Sequence, residues 1–331
     1  MLYNGRVGVG NTGASAMTTV YEVRNLTKIY AGQTVPANDH ITLDVHEGEI
    51  FGLLGDNGAG KTTLVRQMAH LLAPSSGTIL LFGQPLDASA LYTPGLIGYM
   101  PQDGLALNNL TVGETLYFTA HLRGLSRRDA RAERDRLLEW FDLGEVRDRM
   151  AAQLSGGQRR LLLLATTVAA SPPVLLLDEP TNDLDPVHRR RVWDALRTLK
   201  QGAGTTIILV THNVVEAERV IERVAILRAG KLIALGRPGA LKARLGDHLR
   251  LDITFQPDAP PTLPDGASPR ALGPGRWQLL IAREAAAAYL AVLTRAPSVE
   301  DFSLSTATLE DLYLALAARQ PSAGAMQERQ P

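Results

Sequence analysis

The sequence predicts a layered α/β domain followed by a small α+β unit, and three observations carry that prediction. Residues 18 to about 245 alternate short β-branched strands with helices. Gly55 to Thr62 spells G-x-x-x-x-G-K-[ST] between an apolar run and a helical pattern. Pro173-Val-Leu-Leu-Leu-Asp178-Glu179 is a continuous apolar run that ends in two acids, which suits a strand buried on both faces of a parallel sheet.

Length and composition agree. The 331 residues make about two domains at roughly 100–200 residues each. Lys+Arg and Asp+Glu both number 34, and the zero net charge argues against a dedicated nucleic-acid binder. With 45% hydrophobic and 21% charged residues, the chain buries a sizeable core and is not a disordered chain. The absence of cysteine excludes disulfides, thiolate nucleophiles and Cys-based zinc sites. The longest uncharged stretch, Leu161 to Leu177, is interrupted by Thr166, Thr167, Ser171 and Pro172-Pro173. It reads as a buried helix, a turn and a buried strand, not as the roughly 20 apolar residues of a membrane span. The N-terminus lacks the apolar core of a signal peptide, so the expectation is a soluble, intracellular protein.

In chain order, residues 1–17 are Gly-rich and patternless and are expected to form a flexible leader. Gly8 to Gly13 spells G-x-G-x-x-G there, but no strand precedes it and no helix follows, so it fails as a dinucleotide site. The main domain covers 18–245. In it Glu49 to Leu54 is a strand, Thr62 to Leu72 a helix, and Arg127 to Phe141 a charge-dense amphipathic helix facing solvent. Residues 246–319 form the α+β unit. Its strands are Arg250–Phe255, Arg276–Ile281 and Val299–Ser305, its helices Glu284–Thr294 and Leu309–Ala318, and Gln256 to Gly275 is a Pro/Gly-rich loop. Residues 320–331 are expected to be a flexible tail.

The glycine-rich string is expected to cradle phosphate. Its glycines let backbone N–H groups curl around phosphate oxygens, and the helix N-terminus adds its positive dipole end. Lys61 would reach the β- and γ-phosphates, and the Thr62 hydroxyl would ligate Mg²⁺. At the end of the apolar strand Asp178 would hold Mg²⁺, and Glu179, one residue on and so pointing elsewhere, would polarise a water for in-line attack on the γ-phosphate.

With these motifs in order over residues 20 to 240, the chain resembles the nucleotide-binding subunit of an ATP-binding cassette (ABC) transporter. Leu154-Ser155-Gly156-Gly157-Gln158 matches the family's signature sequence. The resemblance implies a P-loop NTPase fold of the ABC cassette type, with a mixed sheet core and a helical subdomain over about 103–160. It implies ATP and Mg²⁺ as ligands. The phosphates would rest on Gly55, Asn57, Gly58, Gly60, Lys61, Thr62 and Thr63, and the signature Ser155, Gly156, Gly157 and Gln158 would cap an ATP held by the other subunit. Tyr30 matches the residue that stacks on adenine. Gln102 matches the glutamine that reaches Mg²⁺ and senses the transporter contact, and His212 the switch histidine at the γ-phosphate. Pro180 to Asp185 matches the loop that crosses the dimer interface, with Asp183 where glycine is common.

The stretches Thr211–Glu218, Val224–Leu232 and Thr308–Ala317 are similar to ABC-2-type exporter ATPases, including antibiotic-export subunits. The expected function is an ATPase that energises export by ATP-driven dimer closure, at the cytoplasmic face of a membrane. Its expected partners are a second ATPase subunit, most simply a copy of itself, and separate membrane permeases, with no nucleic acid. The alternatives are a soluble ABC ATPase acting on ribosomes or DNA, an importer-type ATPase, and a subunit that binds ATP without hydrolysing it.

Overall fold

The computed structural model describes residues 18–86, 93–102, 109–212 and 214–319; the expected leader, the Gly8–Gly13 string and the expected tail lie outside the described residues. Up to residue 245 the chain runs β1 (Thr19–Lys28), β2 (Asn38–His46), β3 (Ile50–Leu54), α1 (Lys61–Met68), β4 (Ser76–Leu81), β5 (Gln84–Pro85), α2 (Thr93–Leu96), β6 (Ile97–Met100), α3 (Val112–Leu122), α4 (Arg127–Trp140), α5 (Gly156–Val168), β7 (Val174–Asp178), α6 (Pro186–Ala203), β8 (Thr206–Val210), α7 (Val214–Ala217), β9 (Arg223–Arg228), β10 (Lys231–Gly236) and α8 (Pro238–Lys242). Then follow β11 (His248–Phe255), β12 (Arg270–Gly273), β13 (Arg276–Ala282), α9 (Ala286–Leu293), β14 (Val299–Thr306) and α10 (Leu309–Arg319).

The central sheet has the order β10-β9-β3-β8-β7-β6; its strands run parallel except β10, which is antiparallel at the edge. Every residue of β3, β7 and β8 is buried, as a strand covered on both faces requires. The period of two divides their side chains between two layers. Leu175, Leu177, Ile207 and Leu209 share a core with α5 and α6. Val174, Leu176, Ile208 and Val210 share one with α1 and with the antiparallel sheet β2-β1-β4-β5. Because β3, β8 and β7 are neighbours and parallel, the loops after all three open at the same edge. That edge carries the phosphate loop, His212 and the acid pair.

Helix signals in the sequence are honoured locally. The amphipathic α4 buries Ala130, Leu137 and Leu138 and leaves most of its charged residues at the surface. Helix α1 stops at Met68, short of the expected Leu72, as His70 turns to φ +57°. Helix α5 starts with a reciprocal capping box between Ser155 and Gln158. At its far end the Arg123 guanidinium donates to the carbonyls of Thr166, Thr167 and Ala169 at 3.0, 2.7 and 2.7 Å, placing a cation at the negative pole of the helix. Arg123→Ala leaves those carbonyls without their donor. It is expected to lower stability by about 2–3 kcal/mol, seen as a lower thermal unfolding midpoint.

The C-terminal unit is an antiparallel sheet of order β12-β13-β11-β14. Leu249, Leu251, Ile253 and Phe255 alternate inward along β11 and pack with Leu279, Ile281, Tyr289 and Leu293. Inside the expected Gln256–Gly275 loop the structure adds β12, whose four residues are all exposed and so give no alternation to read. The last helix packs elsewhere. Leu309 and Leu312 of α10 are buried in the same core as Ala234 and Leu241, so α10 closes onto the first domain.

Candidate functional site

The phosphate loop connects β3 to α1 through two positions that only glycine fits. Gly55 takes φ +150°, and a Cβ there would lie 2.2 Å from the Leu227 carbonyl oxygen. Gly60, the N-cap of α1, takes φ +100°, and its Cβ would lie 2.2 Å from the Ala37 carbonyl oxygen. Asn38 secures the turn from outside, donating to the Gly60 carbonyl at 3.0 Å while accepting from Gln67 at 2.8 Å. Lys61 folds over the loop, its Nζ donating to the carbonyls of Gly55 and Asp56 at 2.7 and 2.9 Å. Burial pushes this ammonium below the ordinary lysine range, and Glu179, Asp178 and Asp56 pull it back up.

Across the cavity, Asp178 is fully buried, and neither carboxylate oxygen has a hydrogen-bond partner. Burial pushes its carboxyl up, countered by the Thr62 hydroxyl beside it and by the Lys61 and Arg66 cations. Two orphaned buried oxygens next to a hydroxyl and a lysine suit a hard divalent cation that takes its remaining oxygens from phosphate and water. Among the described residues no cluster of three or more His, Asp or Glu could hold a metal by itself, so Thr62, Asp178 and Gln102 fit Mg²⁺ only together with a nucleotide.

The strand period would send Glu179 away from Asp178. Instead Glu179 sits at φ +53°, a left-handed conformation that costs a non-glycine residue about 1–2 kcal/mol, and both acids face one cavity. His212 holds the carboxylate: its Nδ1 lies 2.9 Å from Glu179 Oε2, and its backbone N–H donates to the same oxygen at 3.3 Å. A carboxylate only accepts, so the imidazole proton of this pair is on Nδ1. The Glu179 carboxylate is therefore held by the backbone N–H and the largely exposed imidazole of a single residue.

One cavity of about 690 Å³ is lined by Gly55, Asn57, Gly58, Gly60, Lys61, Thr62 and Thr63, by Asp178 and Glu179, and by Gln102 and His212. The other sequence-expected residues lie outside it. Tyr30 stands at the start of the turn after β1, its hydroxyl 3.2 Å from Thr63 Oγ1. Asp185 is the N-cap of α6, accepting from the amides of Val187 and His188 at 2.9 and 3.0 Å. Asp183 takes the left-handed φ of +57° that a glycine would take more cheaply. Ser155, Gly156, Gly157 and Gln158 open α5 away from the cavity. Ser155 Oγ accepts from the Gln158 amide at 3.3 Å, and Gln158 Oε1 accepts from the Ser155 amide at 3.2 Å. Ser155 and Gly156 are exposed, and Gly157 is half-buried beside the His188 ring.

Three contributions escaped the sequence. Asn182 lines the cavity from the loop after β7. Arg160, on the second turn of α5, reaches into the loops after β6 and β7. The C-terminal unit reaches the cavity through Arg270 and through Leu309, Glu310, Tyr313 and Leu314 of α10. The Tyr313 hydroxyl donates to the Asp56 carboxylate of the phosphate loop, and burial together with that carboxylate pushes the phenol up to about 12. The helical period of Leu309, Leu312, Tyr313 and Leu316 was readable; its docking place was not.

Comparisons with known proteins bear on the same residues. The model of the ABC transporter family matches residues 38–182, from the end of the turn after β1 to the loop after β7. The chain is 33% identical over 319 residues to the daunorubicin/doxorubicin resistance ATP-binding protein DrrA of Streptomyces peucetius, covering 90% of this chain and 92% of that one. It is 36% identical over 225 residues to the Nod factor export ATP-binding protein I of Cupriavidus metallidurans, covering 68% and 73%. Against the human retinal-specific phospholipid-transporting ATPase ABCA4 it is 38% identical over 231 residues, 70% of this chain, and spans 10% of the length of that relative. A solved ATP-binding subunit of an ABC transporter, 29% identical, superposes with a TM-score of 0.63 over 69% of this chain and 94% of its own. The ADP- and Pi-bound dimeric cassette MJ0796, 24% identical, shares the fold with a TM-score of 0.61 over 66% and 98%. A cavity gathering these residues, inside a chain that aligns nearly end to end with an ATP-binding protein of this family, leaves one conclusion: the chain belongs to the ABC transporter family, among its ATP-binding proteins.

Proposed function

We propose that this chain is the ATP-hydrolysing subunit of an ABC-2-type exporter, working as a dimer on separate membrane permeases. One observation carries the proposal: a single cavity gathers the phosphate loop, Gln102, Asp178, Glu179 and His212, while the signature residues open α5 elsewhere. A site with a base and no cap, and a cap with no site, complete each other when two subunits meet head to tail. The end-to-end likeness to a drug-resistance ATP-binding protein and the likeness to a Nod factor export protein support the export direction.

In the proposed cycle Lys61 and the loop amides hold the β- and γ-phosphates of ATP. Bound Mg²⁺ supplies charge neutralisation across those phosphates, and Thr62, Gln102 and Asp178 are the residues placed for it. The Glu179 carboxylate, held by His212, accepts a proton from the water that attacks the γ-phosphate in line. The partner's Ser155 hydroxyl and glycine amides close over the γ-phosphate, so hydrolysis reopens the dimer. Toward the membrane partner, Phe118 and Leu122 on α3 stand one turn apart and exposed, an apolar patch suited to a permease helix. Among the described residues no helix is long and apolar enough to cross a membrane, which agrees with separate permease subunits.

The test is affinity purification of the tagged chain from detergent-solubilised native membranes, with mass spectrometry of what accompanies it. A multi-span protein in near-equal amount is the expected result. Recovery with ribosomal or DNA-repair proteins and no membrane subunit overturns the transport reading while leaving the ATPase intact.

A further inference from the structure

Arg160 lies one and a half turns into α5, five residues after Ser155, on the helix that opens at the signature. Its guanidinium spreads over two separate loops. Nη1 donates to the carbonyls of Gln102 at 2.6 Å and Pro101 at 3.5 Å, in the loop after β6. Nη2 donates to the carbonyls of Asp178 at 3.0 Å and Glu179, and Nε to that of Pro180 at 3.3 Å, in the loop after β7. Five carbonyl dipoles converge on one cation, and they belong to the residues around the sensor glutamine and the catalytic acids.

We propose that Arg160 is a positioning residue that fixes the backbone of Glu179 against Gln102 and makes both follow the signature helix. The proposal rests on the ATPase reading above. Glu179 keeps its left-handed φ with its N–H on the Val210 carbonyl at 2.9 Å, its carboxylate held by His212, and its carbonyl held by the Asn182 amide and by the charged Arg160. Without the guanidinium the Glu179 carbonyl keeps the Asn182 amide, at 3.2 Å, but loses its charged donor, which loosens the peptide and lets the carboxylate drift out of line with the γ-phosphate. The planar fork is essential to the geometry. A guanidinium spans two loops with donors fixed in one plane, whereas a lysine ammonium offers a single point. In the proposed dimer the start of α5 caps the partner's ATP, while Gln102 and Glu179 serve the ATP of their own subunit. Arg160 therefore joins the two nucleotide sites through one rigid helix.

The experiment compares the full-length chain with Arg160→Met, Arg160→Gln and Arg160→Lys, measuring ATP affinity, steady-state kcat and KM, the ATP Hill coefficient and the melting midpoint. The expected result is a fall in kcat of about 10- to 100-fold with ATP affinity within about twofold, and a Hill coefficient falling toward one. Arg160→Lys recovers part of kcat but not the cooperativity. Unchanged kcat in Arg160→Met, full recovery of rate and cooperativity in Arg160→Lys, or losses of rate, affinity and melting midpoint in step across all three variants overturn the proposal. Lack of ATP hydrolysis by the unmodified chain sinks the ATPase reading instead.

Discussion

Glu179→Gln is expected to bind ATP with near-normal affinity and to hydrolyse it at least ~10²-fold more slowly. The substitution changes almost nothing except basicity. The amide oxygen still accepts from the His212 amide and from Nδ1–H, the contacts Glu179 Oε2 makes at 3.3 and 2.9 Å, so the residue keeps its place at the cavity wall. Arg160 still holds the backbone at φ +53°. What disappears is the carboxylate that takes the proton of the attacking water. Two measurements separate the steps: nucleotide binding at equilibrium, and phosphate release in a single turnover. Because hydrolysis is proposed to reopen the pair, the variant is also expected to accumulate as an ATP-bound dimer in light scattering. Normal phosphate release moves the base elsewhere in the cavity, with His212 the nearest group.

The frame of this site was legible in the sequence because its constraints are local. A loop that needs φ +150° and φ +100° at positions where a Cβ would strike a carbonyl writes itself as glycine. A strand buried on both faces writes itself as Val174-Leu-Leu-Leu177, and its carboxyl end marks where polar residues surface. Helix α5 likewise shows its start in the Ser155/Gln158 capping box. Long-range features left weaker marks. Nothing around Asp178-Glu179 announces that the second acid turns back into the same cavity, because the bend is held by Arg160, 19 residues upstream, and by His212, 33 residues downstream. Strand β12 lies between Pro269 and Pro274 with every residue exposed, so only its pairing with β13 makes it a strand. The place of α10 depends on Leu309 and Leu312 finding a pocket made by residues over 60 positions away.

Lys61→Ala is expected to abolish measurable ATP binding at micromolar nucleotide. In the cavity this ammonium faces three carboxylates, Glu179, Asp178 and Asp56, which hold its charge against the cost of burial. Alanine removes that counter-charge and leaves the acids facing a triphosphate of the same sign. Two charge-assisted hydrogen bonds to phosphate oxygens are worth about 3–6 kcal/mol, a loss of roughly 10²- to 10⁴-fold in affinity before the added repulsion is counted. The Gly55 and Asp56 carbonyls lose the Lys61 donor. The loop keeps the Asn38 side chain on the Gly60 carbonyl, the Ala59 amide on the Asp56 carbonyl and the Gly230 amide on the Ala59 carbonyl, none of which involves the Lys61 side chain. Binding of a fluorescent ATP analogue, followed together with circular dichroism to show an intact fold, reads this directly. A well-folded Lys61→Ala protein that still binds ATP tightly overturns the assignment of the phosphate loop, and with it the roles given to Thr62 and Asp178.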